Sequence, residues 1–425
     1  MLSATAQALG YALSVVSGLV SARWLGPSGR GVLSMVTSGG YIAAVALSLG
    51  ASTAITVLVA RRAIGVWDAA RASLMLTAGA GALSLGVCLM LSQWMGPQQT
   101  YPVMWLPFVI VANMTVQTQA AAATGAGRLS SYFASNVIGS LLQTAGYVVV
   151  ATYLGASTDV ALFVWVATQL VGGAVGWVVL LRSAVKRLTP LGPHLRSGLA
   201  LSLSALPALL LGVANTRLDI VVLGYWTVAS EVGRYSIAAL GVSALGVIPA
   251  AIGHALTSRY AVRVDPERDL RRGMVRALAA AAIVGAGASY IAYLILPIVL
   301  GPQYRTAAAM FTAMVPGFAL FSTCHVSSGY VNVVLGQPWL NGRIAGFALA
   351  VDMVLLAILA RPLGGLGAAI ASSVSYAAGA ALNAYQLRAS LFGHRSGHSS
   401  DAAVCSETDT APLQDGGQYE LRRSI

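Results

Sequence analysis

GVLSMVTSGGYIAAVALSLGASTAITVLVA, residues 31–60, runs for 30 positions without an acidic or basic side chain, and arginines close it at both ends: Arg30 before it, Arg61 and Arg62 after it. A helix rises 1.5 Å per residue, so about 20 apolar residues cross the roughly 30 Å hydrocarbon core of a bilayer. Residues 32–60 therefore read as a membrane span with length to spare. The rest of the chain has the same character. Of 425 residues 57% are hydrophobic and only 9% charged, with a mean hydropathy of +0.76. A soluble domain carries about 25% charged residues to make a water-facing surface, so a soluble globular protein is excluded. An outer-membrane barrel is excluded too, because ten-residue stretches alternating apolar and polar are missing.

Counting about 20 apolar residues per span gives twelve stretches. They are 3–22, 32–60, 73–93, 101–123, 134–154 and 160–181, then 198–224, 232–256, 274–299, 306–335, 343–360 and 364–387. The first follows no basic leader and reads as a retained helix. With the N-terminus inside, 15 basic residues before the tail fall on the inner side and 6 on the outer, so the excess of arginine in the inner loops sets both termini in the cytoplasm. The net charge of +12 thus anchors loops at the membrane and is no sign of a nucleic-acid partner. The mixed-sign run VRVDPERDLRRGMVR, 262–276, reads as a cytoplasmic loop meeting anionic lipid.

Weak internal matches keep their order and spacing. Met95-Gly96-Pro97-Gln98 is echoed by Leu300-Gly301-Pro302-Gln303, Gly29-Arg30 by Gly233-Arg234, and Leu154-Gly155 by Leu363-Gly364. The offsets are 205, 204 and 209 residues. Two six-helix lobes follow: 1–182 and 198–391, joined by a cytoplasmic linker at 183–197, with a disordered cytoplasmic tail at 392–425. Six is even, so the lobes share one orientation and can rock about a cavity between them. The expected fold is an all-α polytopic protein of the plasma (inner) membrane, built as those two lobes.

The chemistry of an enzyme is missing. Lys186 is the only lysine and is followed by Arg187, so no GxxxxGK[ST] phosphate loop can be written. No HExxH pair occurs, and Cys88, Cys324 and Cys405 are scattered, so no metal, disulfide framework or cofactor is expected. Eight carboxylates lie outside the tail, few of them on outer loops, which leaves little for acid/base catalysis.

An ionisable group inside a bilayer costs at least ~2.5 to 3.5 kcal/mol and invites an explanation. Arg217 and Asp219 lie in the seventh span, two residues apart, so they point in different directions and are not each other's partner. Arg217 either faces a cavity and binds an anionic headgroup or snorkels to the surface; Asp219 either holds another arginine or couples to a cation. Asp352, near the middle of the eleventh span, is either a proton- or sodium-coupling group or a packed neutral acid. Arg23, Arg30 and Arg234 stand at outer helix ends, where guanidinium groups suit bidentate phosphate binding or interfacial anchoring.

The stretch ARWLGPSGRGVLSMVTSGGYIAAVALSLGASTAITVLVARR, Ala22 to Arg62, resembles the opening of polysaccharide exporters of the MOP superfamily, the Wzx-type flippases of lipid-linked oligosaccharides. The resemblance rests on Arg23, Leu25, Gly26 and Pro27 after the first helix, on Leu49 and Gly50, on the exit at Ala60 and Arg61, and on Arg217 to Tyr225 in the second half. It covers residues 1–390 or so and implies alternating access. A cationic cavity, with Arg23, Arg30, Arg217 and Arg234 as substrate-binding residues, would take in a polyprenyl-diphosphate-linked oligosaccharide for surface polysaccharide biosynthesis. Asp219 and Asp352 would be the ion-coupling residues for H+ or Na+, and polysaccharide-assembly proteins would be partners. The alternatives are a cation-coupled multidrug exporter of the same fold, which would want acidic cavity walls, and an assembly scaffold without transport.

Overall fold

The structure is a computed structural model that describes residues 2–94, 102–185, 192–260, 266–337 and 339–405. Met95–Gln98 of the repeat, Lys186 and residues 406–425 of the expected tail lie outside the described residues. All regular structure among the described residues is helical. The elements are α1 (Leu2–Leu47), α2 (Ala51–Ala60), α3 (Val66–Ser92), α4 (Leu106–Gly125), α5 (Leu129–Tyr153) and α6 (Thr158–Arg182). There follow α7 (Gly192–Trp226), α8 (Ala229–Leu245), α9 (Val247–Tyr260), α10 (Pro266–Val299), a 3-10 turn (Pro302–Tyr304), α11 (Arg305–Val333) and α12 (Trp339–Cys405). Among the described residues nine helical stretches are long and apolar enough to cross a membrane. Residues 1–380 form one compact unit; the second, from 381, is helical as far as Cys405.

Two of the long helices are broken inside by glycine. Gly26 takes φ 66° within α1 and Gly364 φ 57° within α12. Both are left-handed conformations that a Cβ would disfavour. Pro27 then restarts the first helix, a position where its missing N–H costs nothing. A further break at Leu49 (φ 50°) and Gly50 (φ 78°) separates α1 from α2 within the apolar stretch quoted above.

Of the run 262–276, expected as a loop, residues 262–265 lie outside the described residues and the remainder is helical. From Pro266 onward it is the start of α10, with Glu267 and Asp269 in the first turn. Proline at the first helical position and acids beside the helix N-terminus are start signals. Leu270, Gly273, Ala277 and Ala281 bury one stripe, while Arg271, Arg272 and Arg276 stay exposed on the other face.

Two separate apolar cores follow the two halves of the chain. One gathers Leu33, Val109, Tyr147 and Leu162 from α1, α4, α5 and α6. The other gathers Leu223, Tyr235, Met314 and Leu356 from α7, α8, α11 and α12. Between them α1 and α8 meet backbone to backbone. A Cβ on Gly31 would strike the Ala229 carbonyl, and a Cβ on Gly233 would strike the Pro27 carbonyl. The contact is reciprocal, so Gly31 corresponds to Gly233 and Pro27 to Ala229. That register differs by two residues from the Gly29-Arg30/Gly233-Arg234 match. Two residues are about 200° of helix rotation, so Arg30 and Arg234 are not equivalent and face different surroundings.

Candidate functional site

A cavity of about 520 Å³ opens among α1, α4, α5, α6, α7 and α8. A smaller one of about 210 Å³ adjoins it. Thr37, Thr216, Arg30 and Arg217 line both. No aspartate or glutamate lines either cavity among the described residues.

The bend at Gly26 makes the Arg30 position. It folds the second part of α1 back on the first, so that Arg30 Nη1 donates to Ser21 Oγ at 2.9 Å across nine residues of sequence. Arg30 Nε is buried, and among the described residues it has no partner and no carboxylate comes within ion-pair distance of the group. Arg217 reaches the same space from α7, exposed to the cavity and without a hydrogen-bond or ion-pair partner among the described residues. The two guanidinium groups thus share one cavity lining. With donors to spare and no carboxylate lining that cavity among the described residues, they can take an oxyanion, whose acceptor oxygens match them.

Asp219, two residues on, points the other way into the core of the second half. It is 5% exposed. Its Oδ1 accepts the Ile220 N–H at 2.8 Å, and Oδ2 accepts the Tyr235 hydroxyl. Tyr235 Oη also contacts Ser372 Oγ at 2.9 Å, and Ser372 lies close to the Asp352 carboxyl group. Asp352 is 4% exposed, with Oδ1 buried and unpartnered. The two acids, 133 residues apart in sequence, are thus the ends of one buried polar chain. No arginine is within ion-pair distance of either.

Arg23 and Arg234 stand elsewhere. Arg234 pairs with Glu231 at 2.5 Å and donates from Nε to the Gln303 carbonyl at 3.0 Å. Arg23 is exposed, its Nη1 3.9 Å from where a Cβ on Gly301 would lie. Neither lines the two cavities. Both belong to a contact between the α1 bend and the turn before α11, where the buried Tyr304 hydroxyl donates to the Ala22 carbonyl at 3.1 Å.

Solved structures share this fold. The lipid II flippase MurJ, in an inward closed conformation, superposes with a TM-score of 0.73 at 12% identity, over 91% of this chain and 87% of that one. An inward-facing multidrug resistance MATE family transporter of the MOP superfamily gives 0.69 at 14%, over 90% and 96%. The eukaryotic MATE transporter AtDTX14 gives 0.56 at 16%, over 91% and 93%. The chain has the fold of the MOP-superfamily transporters. No protein-family model matches the sequence, and no curated protein matches it.

Within this MOP-type fold, four site residues were missed by sequence reasoning. Ser21 is one small residue among many. Ser372 looks like any helix-packing serine. Tyr235 had a signal, a lone tyrosine directly after Arg234 in a helix of small residues, and Tyr304 had another in its place after the Gly301-Pro302 turn.

Proposed function

We propose that the protein is a multi-pass transporter of the plasma membrane that flips a polyprenyl-diphosphate-linked oligosaccharide from the cytoplasmic to the outer face. The observation that carries this reading is the pair Arg30 and Arg217, unpaired in a cavity without carboxylates. A diphosphate supplies the charge and acceptor oxygens that the pair lacks. A cation exporter would need acids on that lining. Reading the bends at Gly26 and Gly364 as reversals between spans turns the nine stretches into eleven, and α4, 20 residues long, makes the twelfth crossing, which gives two six-helix lobes (1–182 and 198–391) and both termini in the cytoplasm. The Gly31–Gly233 contact is then the seam between lobes, and the Tyr304–Ala22 and Arg234–Gln303 contacts close the outer end.

The polar chain supports coupling to an ion. Two hydrogen bonds join Asp219, Tyr235 and Ser372, and the buried Asp352 carboxyl group has an unpartnered Oδ1. A proton on one of the two acids lets that group donate where a carboxylate can only accept, so the pair is suited to load and release a single H+, with Na+ as the competing ligand. Surface-polysaccharide assembly proteins would act on the flipped product.

The test is translocation of a labelled polyprenyl-diphosphate oligosaccharide in proteoliposomes. Arg217→Ala removes charge-assisted hydrogen bonds worth ~1.5–3 kcal/mol each, so binding of the diphosphate should fall about ten- to a hundredfold and flipping with it. Unchanged flipping would remove Arg217 from the mechanism.

A further inference from the structure

The larger cavity has two unlike walls. The arginines occupy one. The other is made by α5 and α6 and carries amides and aromatic rings without any charge. On α5, Tyr132, Asn136 and Gln143 are spaced four and seven residues apart, so they share a face. On α6, Trp165 and Gln169 are four apart and share another. Trp165 and Tyr132 also pack against apolar cores, but Asn136, Gln143 and Gln169 are amides, and it is small or aliphatic groups that ordinarily fill helix contacts in a membrane. A lipid-facing amide without a partner would be costly.

These amides are loosely engaged. Gln169 Nε2 reaches Gln143 Oε1 only at 3.4 Å, and Gln143 Nε2 reaches the Tyr147 hydroxyl at 3.5 Å. Among the described residues, Asn136 is exposed to the cavity with no partner, and the Trp165 indole N–H has none either. Each amide offers two donors and an acceptor carbonyl. That is the complement of vicinal hydroxyls, each of which both donates and accepts. An indole face suits the apolar C–H face of a pyranose ring. The volume of about 520 Å³ lies within the roughly 300–1,000 Å³ of small-ligand sites.

We infer that the α5–α6 wall is a carbohydrate subsite, and that the sugar it holds next to the diphosphate is uncharged. This rests on the proposed function and narrows its substrate class. A uronic acid at the same place would bring a carboxylate to a wall with no cation, because both cavity arginines are committed to the diphosphate, and its desolvation would go uncompensated.

The experiment uses the full chain in nanodiscs and three probes: farnesyl diphosphate, farnesyl diphosphate linked to N-acetylglucosamine, and farnesyl diphosphate linked to glucuronic acid. Two or three hydroxyl–amide hydrogen bonds should make the N-acetylglucosamine probe bind about tenfold tighter than the bare diphosphate. The glucuronic acid probe should gain nothing. In Asn136→Ala, and separately in Gln169→Leu, the ratio of sugar-bearing to bare affinity should fall to about twofold, on the same estimate per hydrogen bond. Each ratio is measured within one variant, so a general loss of folded protein cancels. An N-acetylglucosamine probe no tighter than bare diphosphate, or a glucuronic acid probe as tight as the neutral one, overturns the inference and leaves the proposed function standing. Failure of the bare diphosphate to bind overturns the proposed function itself.

Discussion

Arg30 and Arg217 serve one cavity but are held differently, and the difference is measurable. Arg30 is fixed by Ser21 at 2.9 Å, whereas Arg217 hangs free in the cavity. Ordering a long side chain costs up to ~2 kcal/mol, and Arg30 has part of that cost met before ligand arrives. Ser21→Ala should therefore weaken diphosphate binding a few-fold, by about the ~0.5–1.5 kcal/mol of a single hydrogen bond, with thermal stability little changed; a binding isotherm against farnesyl diphosphate checks it. At the acids the expectation is functional uncoupling. Asp352→Asn supplies a permanent N–H toward Ser372 in place of the exchangeable proton, so the fold and diphosphate binding should survive while flipping stops responding to an imposed pH gradient. Flipping that still follows the gradient would detach Asp352 from coupling. Arg217, Asp219 and Asp352 could be named from sequence because charge inside an apolar run is conspicuous, and Arg30 because it closes such a run; Arg23 and Arg234, named with them, do not line the two cavities. Ser21, Tyr235 and Ser372 could not, since what distinguishes them is the neighbour the fold gives them.

Among the elements, the α1–α8 contact depends on two glycines whose Cα hydrogens face carbonyl oxygens. Neither backbone can yield locally, because each carbonyl belongs to a helix. Gly31→Ala and Gly233→Ala should each push the helices apart and cost about 1–3 kcal/mol, the usual range for overpacking. The double variant should cost less than the sum, since one displacement relieves both clashes. Thermal unfolding of the three variants in one detergent tests this, and strict additivity would mean that the two clashes are independent. The same contact explains what was and was not legible in the helices. Apolar length located most spans, and Gly-Pro turns marked the breaks at Gly26 and Gly301. The register of the repeat came out two residues off, because Gly29-Arg30 and Gly233-Arg234 match as letters while helix packing aligns Gly31 with Gly233. The start of α10 was missed for a related reason: the density of charge in VRVDPERDLRRGMVR reads as a loop until the buried stripe from Leu270 is seen to follow helical spacing.

For the whole molecule, alternating access requires that contacts closing one end be weak enough to break in each cycle. The closure at the α1 bend consists of the Tyr304–Ala22 hydrogen bond, the Arg234–Gln303 hydrogen bond and the approach of Arg23 to Gly301. Single polar contacts of this kind contribute about 0.5–1.5 kcal/mol each, a scale at which a bound ligand can tip the equilibrium. If they exist only in the closed state, removing one shifts the population toward opening by the full value of that bond. Tyr304→Phe keeps the ring in its buried seat and deletes the hydroxyl, so the outward-open fraction should rise by up to about tenfold. A single cysteine at Thr37, which lines both cavities, reports the change in a background with Cys88, Cys324 and Cys405 replaced. Labelling by a membrane-impermeant maleimide added outside intact cells should speed up in Tyr304→Phe by the same factor. It should slow again when Arg217 is intact and a non-transported diphosphate is trapped from inside, because the ligand then ties α7 to the Arg30 segment of α1. An unchanged labelling rate in Tyr304→Phe would show that this contact persists in both states and that the outer end is closed by something else.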